Sequence, residues 1–429
     1  MNQAWTSLIV FVLCYVLFVA LPARRSWTAV IGALLLVGFG ALDWREALVE
    51  KINWNVMGLF FGTLILAELF ILSRAPAVMA EWLVDRTRTT RAAMLVLCAL
   101  SGAISVFVEN VAVVLLVAPV ALSLAEKLKI HPAPLLIGIA ISSNLQGTAT
   151  MIGDPPSMIL AGYMKMGFWD FFIYQGKPGI FFAIQAGAVV SMLVLAFFFR
   201  RHRENLSLLN QEQARSWTPA AFLGLLVAGL SFATAIDPDF QWFVGSYTMA
   251  LAGGALLWYR GVARWGRMRD LARALDWDTT FFLMGVFVVV GALSESGWLD
   301  RLSAGLSASV GSNLALAFAS MVLLSVFVSG FVDNVPFLLV MIPVAHSVGQ
   351  TFTARSPGAD ILLLFGLLIG ACLGGNLTPI GASANVVTLG ILRRQGHSVR
   401  FTDFMRISIP FTIAAVLAGC LFVWLVFGP

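Results

Sequence analysis

The sequence is poor in charged residues: only 11% of its 429 residues are Asp, Glu, Lys or Arg, while 59% are hydrophobic. Soluble domains carry about 25% charged residues, so this scarcity excludes an ordinary soluble protein. The stretches between the apolar runs are short, and none of them resembles a separate soluble domain. We therefore expect a polytopic membrane protein, in which apolar runs of about 20 residues cross the lipid bilayer as helices.

Cysteine is also scarce, and its spacing carries no signature. The chain has four cysteines, all in apolar segments and without paired spacing, which argues against a disulfide framework and a zinc site. It also lacks H-E-x-x-H, G-x-x-x-x-G-K-[ST] and a nucleophile–base pair. We therefore expect no enzymatic activity, no cofactor and no assigned metal site, and an ATP-driven function would need a separate ATPase subunit.

The net charge of +5 does not indicate nucleic-acid binding. The Arg and Lys residues lie in the loops between apolar runs, where an excess of positive charge marks the cytoplasmic side of a membrane protein. The first apolar run, residues 8–21, has no Lys or Arg before it, so we expect a transmembrane helix rather than a cleaved signal peptide. We expect an inner-membrane protein with both termini outside.

An unusual pattern occurs twice in the chain. Residues 105–121 read SVFVENVAVVLLVAPVA, and residues 329–345 read SGFVDNVPFLLVMIPVA. Each places an acidic residue and an asparagine, Glu109-Asn110 or Asp333-Asn334, inside an otherwise apolar run. A carboxylate within a membrane is costly unless it faces a cavity or a partner. We therefore interpret both pairs as functional-site residues.

These two segments are predicted to be re-entrant hairpins. Residues 92–124 have basic residues on both flanks, so the segment enters the membrane, turns at Glu109-Asn110 and returns to the same side. Residues 314–348 are interrupted in the same way at Asp333-Asn334. The two tips are expected near the middle of the bilayer.

Two further segments are long enough to cross but contain breaks. Residues 134–166 are interrupted by SNLQGTATMIGDPPS at 143–157, and residues 361–392 by GGNLTPIGASAN at 374–385. Irregular backbone at membrane depth is tolerated only where protein or a water-filled cavity satisfies it. Asp154 precedes two prolines as a helix N-cap would, and both capping and a functional role stay open for it.

Corresponding motifs in the two halves lie at similar offsets. Trp54 to Trp277 is 223 residues, Asn110 to Asn334 is 224, and Gly153 to Gly381 is 228. An odd number of crossings inverts the second half relative to the first, and the basic loops then fall on one side. We predict an all-α polytopic membrane protein of two inverted repeats, 1–210 and 211–429. Each has five transmembrane helices plus one re-entrant hairpin, with unwound helices at the midplane. The other predicted spans are 27–42, 56–73, 179–199, 220–235, 243–259, 279–293 and 407–427.

The hairpin tips and the unwound segments are predicted to form one binding site. Half-helix N-termini there can hold an anion, and free carbonyls can hold Na⁺. No Lys or Arg falls within the four segments. We therefore expect surplus carboxylates without a fixed cation, which suits a cation, a proton or a neutral oxyacid better than a dianion. The predicted substrate- or ion-binding residues are Glu109, Asn110, Asn144, Gly147, Thr148, Thr150, Asp154, Asp333, Asn334, Gly375, Asn376, Thr378, Ser383 and Asn385.

The coupling ion is expected to be H⁺ or Na⁺. A carboxyl group in such surroundings can change protonation near physiological pH, and we expect Glu109 or Asp333 to couple a proton to solute movement. Glu68, in the middle of a span, is either a proton relay or a buried, hydrogen-bonded carboxyl group.

At these motifs the sequence resembles the ion transporter superfamily, in the branch of arsenite efflux pumps, NhaD-type sodium/proton antiporters and the P protein. The resemblance rests on VENVAVVLLVAP, VDNVPFLLVMIP, GTATMIGDPPS and GACLGGNLTPIGASANVV. The related citrate and dicarboxylate carriers have a neutral Ser-Asn-Thr at the hairpin tips, unlike this chain. The branch usually reads GDPPN where this chain has Ser157. The resemblance implies a homodimer with a scaffold and a transport domain that moves like an elevator.

These observations predict a proton-coupled secondary transporter that exports a small inorganic oxyacid or anion such as arsenite or antimonite. The first alternative is a Na⁺(Li⁺)/H⁺ antiporter, since the same carboxylates would bind either ion. The second is a cation-coupled transporter of citrate or a dicarboxylate. A passive channel is the alternative from a different class, which unsaturable currents would reveal.

Overall fold

The structure, a computed structural model, describes residues 3–202 and 213–429, and nearly all of them are helical. The predicted all-α fold is confirmed. The boundary between the predicted repeats, at residues 210 and 211, lies outside the described residues, as does Arg203 of a predicted basic loop. The helices of the first half are α1 (Gln3–Ala20), α2 (Arg25–Gly38), α3 (Trp54–Leu72), α4 (Ala75–Asp85), α5 (Thr90–Ser105), α6 (Asn110–Lys127), α7 (Ala133–Gly147), α8 (Pro155–Met164) and α9 (Ile180–Phe198).

The two halves differ in their short elements, and among the described residues only the first half has strands. Short strands β1 (Ile173–Tyr174) and β2 (Lys177–Pro178) form a hairpin before α9. The helices of the second half are α10 (Thr218–Ser231), α11 (Ala233–Ile236), α12 (Phe243–Trp258), α13 (Met268–Ala274), α14 (Trp277–Glu295), α15 (Trp298–Val310), α16 (Leu314–Ser329), α17 (Asn334–Gln350), α18 (Ala359–Gly374), α19 (Ser383–Arg394) and α20 (Phe401–Phe427).

The repeated Trp motif marks two equivalent helix starts. Asn53 accepts a hydrogen bond from the amide of Val56 at 3.0 Å and caps α3, and Asp276 accepts one from Thr279 at 2.9 Å and caps α14. Each following Trp ring donates its indole N–H to a carbonyl oxygen of the preceding segment. Both helices therefore begin with a capping Asn or Asp followed by Trp. This shared cap explains why Asn-Trp-Asn and Asp-Trp-Asp occur at corresponding positions in the two halves.

Helices of one half pack closely on helices of the other. α2 packs along α14, and α12 packs along α3. A Cβ atom on Gly285 of α14 would lie 2.6 Å from the backbone of Ala29, and one on Gly58 of α3 would lie 2.9 Å from Gly245. Small residues at both crossings let the backbones approach, as is common between membrane helices.

The predicted hairpin breaks are confirmed. α5 ends at Ser105 and α6 begins at Asn110, while α16 ends at Ser329 and α17 begins at Asn334. The arms of each hairpin pack against each other and against the following helix, α7 or α18. Each break therefore leaves a helix N-terminus, with an acidic residue before it, inside the protein.

The breaks in the two longer segments are confirmed, and the first begins later than predicted. α7 continues through Ser143 and Asn144 to Gly147, because these side chains bond to neighbouring segments instead of competing for their own backbone. Irregular backbone then runs to Pro155. In the second half, α18 continues to Gly374, a short 3₁₀ turn follows, and α19 starts at Ser383.

Seven of the described helices are long and apolar enough to cross a membrane. Several predicted spans are shorter: α2 has 14 residues, which rise about 21 Å, and the span at 220–235 divides into α10 and α11. The count of ten crossings and the inverted orientation stay predictions. The seven are α1, α3, α6, Ile180–Arg201, α14, Ala359–Leu377 and α20.

Candidate functional site

A cavity of about 50 Å³ lies where the two hairpin tips meet the starts of α8 and α19. Helices α2 and α14 contribute its remaining wall. Room of this size holds one or two water molecules or a small ion. Seven of the fourteen predicted site residues line the cavity: Glu109, Asn110, Asn144, Asp154, Asp333, Asn334 and Ser383.

Glu109 and Asp333 act as helix caps at the two tips. Glu109 accepts hydrogen bonds from the amides of Val111, at 3.0 Å, and Ala112, at 3.1 Å. Asp333 accepts only one, from Val335 at 3.1 Å, because the next residue, Pro336, has no N–H group. One oxygen of Asp333 therefore stays available for another partner.

That partner is Arg25, the first residue of α2. Its Nη1 donates to Oδ2 of Asp333. Its Nε donates to Oδ2 of Asp278 at 3.0 Å, and its Nη2 donates to the hydroxyl of Thr279 at 2.8 Å. The guanidinium also lies 4.9 Å from the ring centre of Phe282. Arg25 thus joins α14 to the tip of the second hairpin.

The expectation of a site without a fixed cation is therefore wrong. Arg25 lies outside the four broken segments, and the sequence interpretation assigned it to a cytoplasmic loop. A signal was present in the sequence, because a cation at a helix N-terminus is unfavourable for the helix dipole and calls for nearby carboxylates. Asp276 and Asp278 were available, but 308 residues separate Arg25 from Asp333.

Asp154 occupies the N-cap position of α8 without capping it. Its backbone carbonyl accepts from the amides of Ser157, at 3.1 Å, and Met158, at 3.3 Å, but its side chain makes no capping bond. Side-chain caps accept from the second or third helical residue; here the second is Pro156, and the third is already bonded. Oδ2 of Asp154 has no hydrogen-bond partner among the described residues, and the residue is only 6% exposed.

Three asparagines link the first hairpin tip to α7 and to the second backbone break. Asn110 donates to Oδ1 of Asn144 at 3.0 Å, and Asn144 donates to Oδ1 of Asn376 at 3.0 Å and to the carbonyl of Cys372 at 3.1 Å. Asn376 donates to the carbonyl of Ile141 at 3.1 Å. All three side chains are buried. This chain of amides crosses from one half of the molecule to the other.

The remaining predicted residues lie behind the cavity and support its backbone. Thr150 donates to the carbonyl of Val106, and Thr378 donates to that of Gly330, so each break is tied to its own hairpin turn. Asn385 donates to the carbonyl of Thr378 at 3.1 Å. Direct contact between these residues and a solute stays a prediction. The residues behind the cavity are Gly147, Thr148, Thr150, Gly375, Asn376, Thr378 and Asn385.

A second cavity of about 280 Å³ also has Glu109 in its wall. Glu68 of α3 and Asp276, before α14, contribute the other acidic groups there. Glu109 therefore belongs to two cavities, and the Glu68 carboxyl group faces the larger one. Apart from these three acids, the residues that line the larger cavity are apolar. The surroundings of Glu68 therefore do not support the prediction of a hydrogen-bonded carboxyl group.

Comparisons with known proteins agree with this architecture. The sequence model of the citrate transporter family matches residues 15–362 and, in a second match, 240–429. An uncharacterized transporter of Mycobacterium tuberculosis is 29% identical over 98% of this chain and 99% of its own. The human P protein is 24% identical over 94% of this chain and 58% of its own.

The fold is also similar to a solved structure. The crystal structure of the YdaH transporter from Alcanivorax borkumensis aligns with 99% of this chain and 97% of its own, with a TM-score of 0.60 and 14% identity. The predicted resemblance to the ion transporter superfamily is confirmed by the family match and by the P protein. The chain belongs to the citrate transporter family and is an integral membrane transporter.

Proposed function

We propose that the chain is a proton-coupled secondary transporter that exports a small inorganic oxyacid or anion, of the arsenite or antimonite kind. The observation that carries this proposal is the composition of the 50 Å³ cavity: three carboxyl groups, one guanidinium and several amides around a very small space. Sites for larger organic ligands are commonly about 300–1,000 Å³.

The polar groups suit a small oxyacid. Asn110, Asn334 and Ser383 offer neutral donors and acceptors, and α19 begins there without a side-chain cap, so its N-terminus is open to a partner. Arg25 offers the positive charge that an anion needs. The carboxyl groups offer sites for the proton that crosses in exchange.

The main alternative is a Na⁺(Li⁺)/H⁺ antiporter. It is favoured by the unpartnered oxygen of Asp154, which could bind a cation together with carbonyl oxygens of the backbone breaks. Transport of citrate is a weaker alternative, because citrate brings several carboxylates to a cavity that already contains three and only one Arg.

The proposal includes a conformational change in which one part of the protein moves against another. The two inverted repeats, 1–210 and 211–429, would form a scaffold around α2, α3, α12 and α14, and a mobile unit of hairpins and broken helices. This unit would move as an elevator within a homodimer in the inner membrane, with both termini outside. The close crossings of α2 with α14 and of α3 with α12 support a rigid scaffold.

The test is proton flux in everted membrane vesicles that contain the protein, followed with a pH-sensitive dye. Arsenite, antimonite, Na⁺, Li⁺ and citrate are added one at a time. We expect a response to arsenite or antimonite that is lost in Glu109→Gln and kept in Asp239→Asn, whose carboxylate forms an exposed ion pair with Lys165. A response to Na⁺ or Li⁺ alone would establish the antiporter, and a response to citrate alone would refute the size argument.

A further inference from the structure

We propose that Asp154 is the carboxyl group that binds and releases the coupling proton, while Glu109 and Asp333 remain engaged with other partners. This inference rests on the proposed function, because it assumes that transport is coupled to protons. It differs from the sequence-based expectation that Glu109 or Asp333 couples the proton to solute movement.

The local sequence leaves the Asp154 carboxylate without backbone donors. The first two residues of α8, Pro155 and Pro156, have no N–H groups. The third, Ser157, gives its N–H to the backbone carbonyl of Asp154 at 3.1 Å. The Asn110 amide is a neutral side-chain donor to this carboxyl group, and Oδ2 has no partner among the described residues. A buried carboxylate with one oxygen left without a donor is disfavoured compared with its protonated form. The side chain lines the cavity, from which a proton can reach it.

The other two carboxyl groups have partners that favour the ionised form. Glu109 accepts two backbone N–H groups. Asp333 accepts one and also pairs with the Arg25 guanidinium. Hydrogen bonds to a carboxylate and a nearby cation both stabilise its charge. Of the three acids around the cavity, Asp154 is therefore the one whose charge is supported by neither a backbone N–H group nor a cation, since its one donor is the neutral amide of Asn110.

The charged and titratable groups around Asp154 reinforce this difference. The carboxyl groups of Glu109 and Asp333 face it from the two hairpin tips, and both repel a second negative charge. Cys372 faces it from α18 as a buried thiol. The Arg25 guanidinium lines the same cavity but donates to Asp333, Asp278 and Thr279. Glu109 also lines the larger cavity, together with Glu68.

The second half has no counterpart to this carboxyl group. The offset of 228 between Gly153 and Gly381 places Ala382 at the position equivalent to Asp154, and Ala382 precedes α19 as Asp154 precedes α8. One chain therefore has one site of this kind. The expected stoichiometry at this site is one proton per chain in each cycle.

The test is infrared difference spectroscopy of the purified full-length protein, titrated from about pH 6 to about pH 10, a range above the ordinary values of exposed carboxyl groups. No solute is added, so the result does not depend on which solute is transported. We expect the band of one protonated carboxyl group per chain to titrate in the wild type. It should be lost in Asp154→Asn and kept in Glu109→Gln, Asp333→Asn and the surface control Asp239→Asn.

Three results would overturn the inference: no such band in the wild type, a band that persists in Asp154→Asn, or a band lost in Glu109→Gln or Asp333→Asn instead. If Asp154→Asn does not give a monodisperse protein, Asp154→Glu replaces it. A longer side chain must then shift the midpoint of the band, and an unchanged midpoint refutes the assignment. Failure of arsenite to move protons in vesicles, with this titration intact, would refute only the proposed substrate.

Discussion

Breaking the Arg25–Asp333 ion pair should destabilise the protein, and replacing Arg25 should cost more than replacing Asp333. The side chains of Arg25 and Asp333 are only 16% and 22% exposed, so the pair is largely withdrawn from water. Breaking a buried pair costs about 3–5 kcal/mol, and partial exposure lowers this to about 2–4 kcal/mol for Arg25→Ala. Asp333→Asn should cost less, about 1–2 kcal/mol, because Arg25 keeps Asp278 and Thr279.

A double-mutant cycle would measure this interaction directly. The free energy of unfolding in mild detergent is determined for the wild type, Arg25→Ala, Asp333→Ala and the double variant, with a coupling energy of about 1–3 kcal/mol expected. The matched control is the Lys165–Asp239 pair, whose side chains are 56% and 61% exposed and should couple by about 0.2–1 kcal/mol. Equal coupling in the two cycles would refute the reasoning from burial.

Three other predictions concern the backbone breaks and a surface loop. Gly153→Ala should destabilise the protein by about 1–3 kcal/mol, since its Cβ would lie 2.5 Å from two backbone oxygens. Gly253→Ala, with open space around it, should not, and unfolding of both variants checks this. Asn144→Ala should cost about 1–3 kcal/mol by leaving Asn376 without its donor; a change below 0.5 kcal/mol would contradict it. Burial alone would raise the pKa of Asp237. Hydrogen bonds from three backbone N–H groups have a larger effect in the opposite direction, so the pKa of this carboxyl group is lower than its ordinary value. The stability that this carboxylate contributes is therefore present above about pH 4 and lost as the pH falls through its folded value. Asp237→Asn should lower the melting temperature at pH 7 but hardly at pH 2.5, and an equal loss at both would exclude this linkage.

The helix breaks could be predicted because their causes are local. Acidic residues in an apolar run, with the asparagines after them, indicated N-termini at Asn110 and Asn334, and paired prolines indicated the start of α8. The first break starts later than the sequence predicts, because Ser143 and Asn144 are residue types that usually interrupt a helix. Their side chains instead bond across to other segments, and no local rule reports such a distant partner.

The most consequential miss was Arg25, and its cause is distance along the chain. Its three partners lie at positions 278, 279 and 333, and only the packing of α2 on α14 brings them together. The Asp154 cap, in contrast, could have been judged from the sequence. An N-cap side chain needs N–H donors at the second and third helical residues, and Pro156 already removes the first of these.

The differences between the two halves matter more for this site than their similarity. Ala112 in the first hairpin corresponds to Pro336 in the second, so Glu109 has two amide donors, whereas Asp333 has one and needs Arg25. A two-fold repeat with identical tips would place equal charges on both sides of the cavity and give an ion no preferred place. Because Asp333 pairs with Arg25, and because Asp154 has no acidic counterpart, the two acids of the cavity without a cationic partner, Glu109 and Asp154, both lie in the first half. Under the proposed function, a proton or cation that enters the cavity would therefore be attracted toward these two acids, while the Arg25 guanidinium remains paired with Asp333 and Asp278.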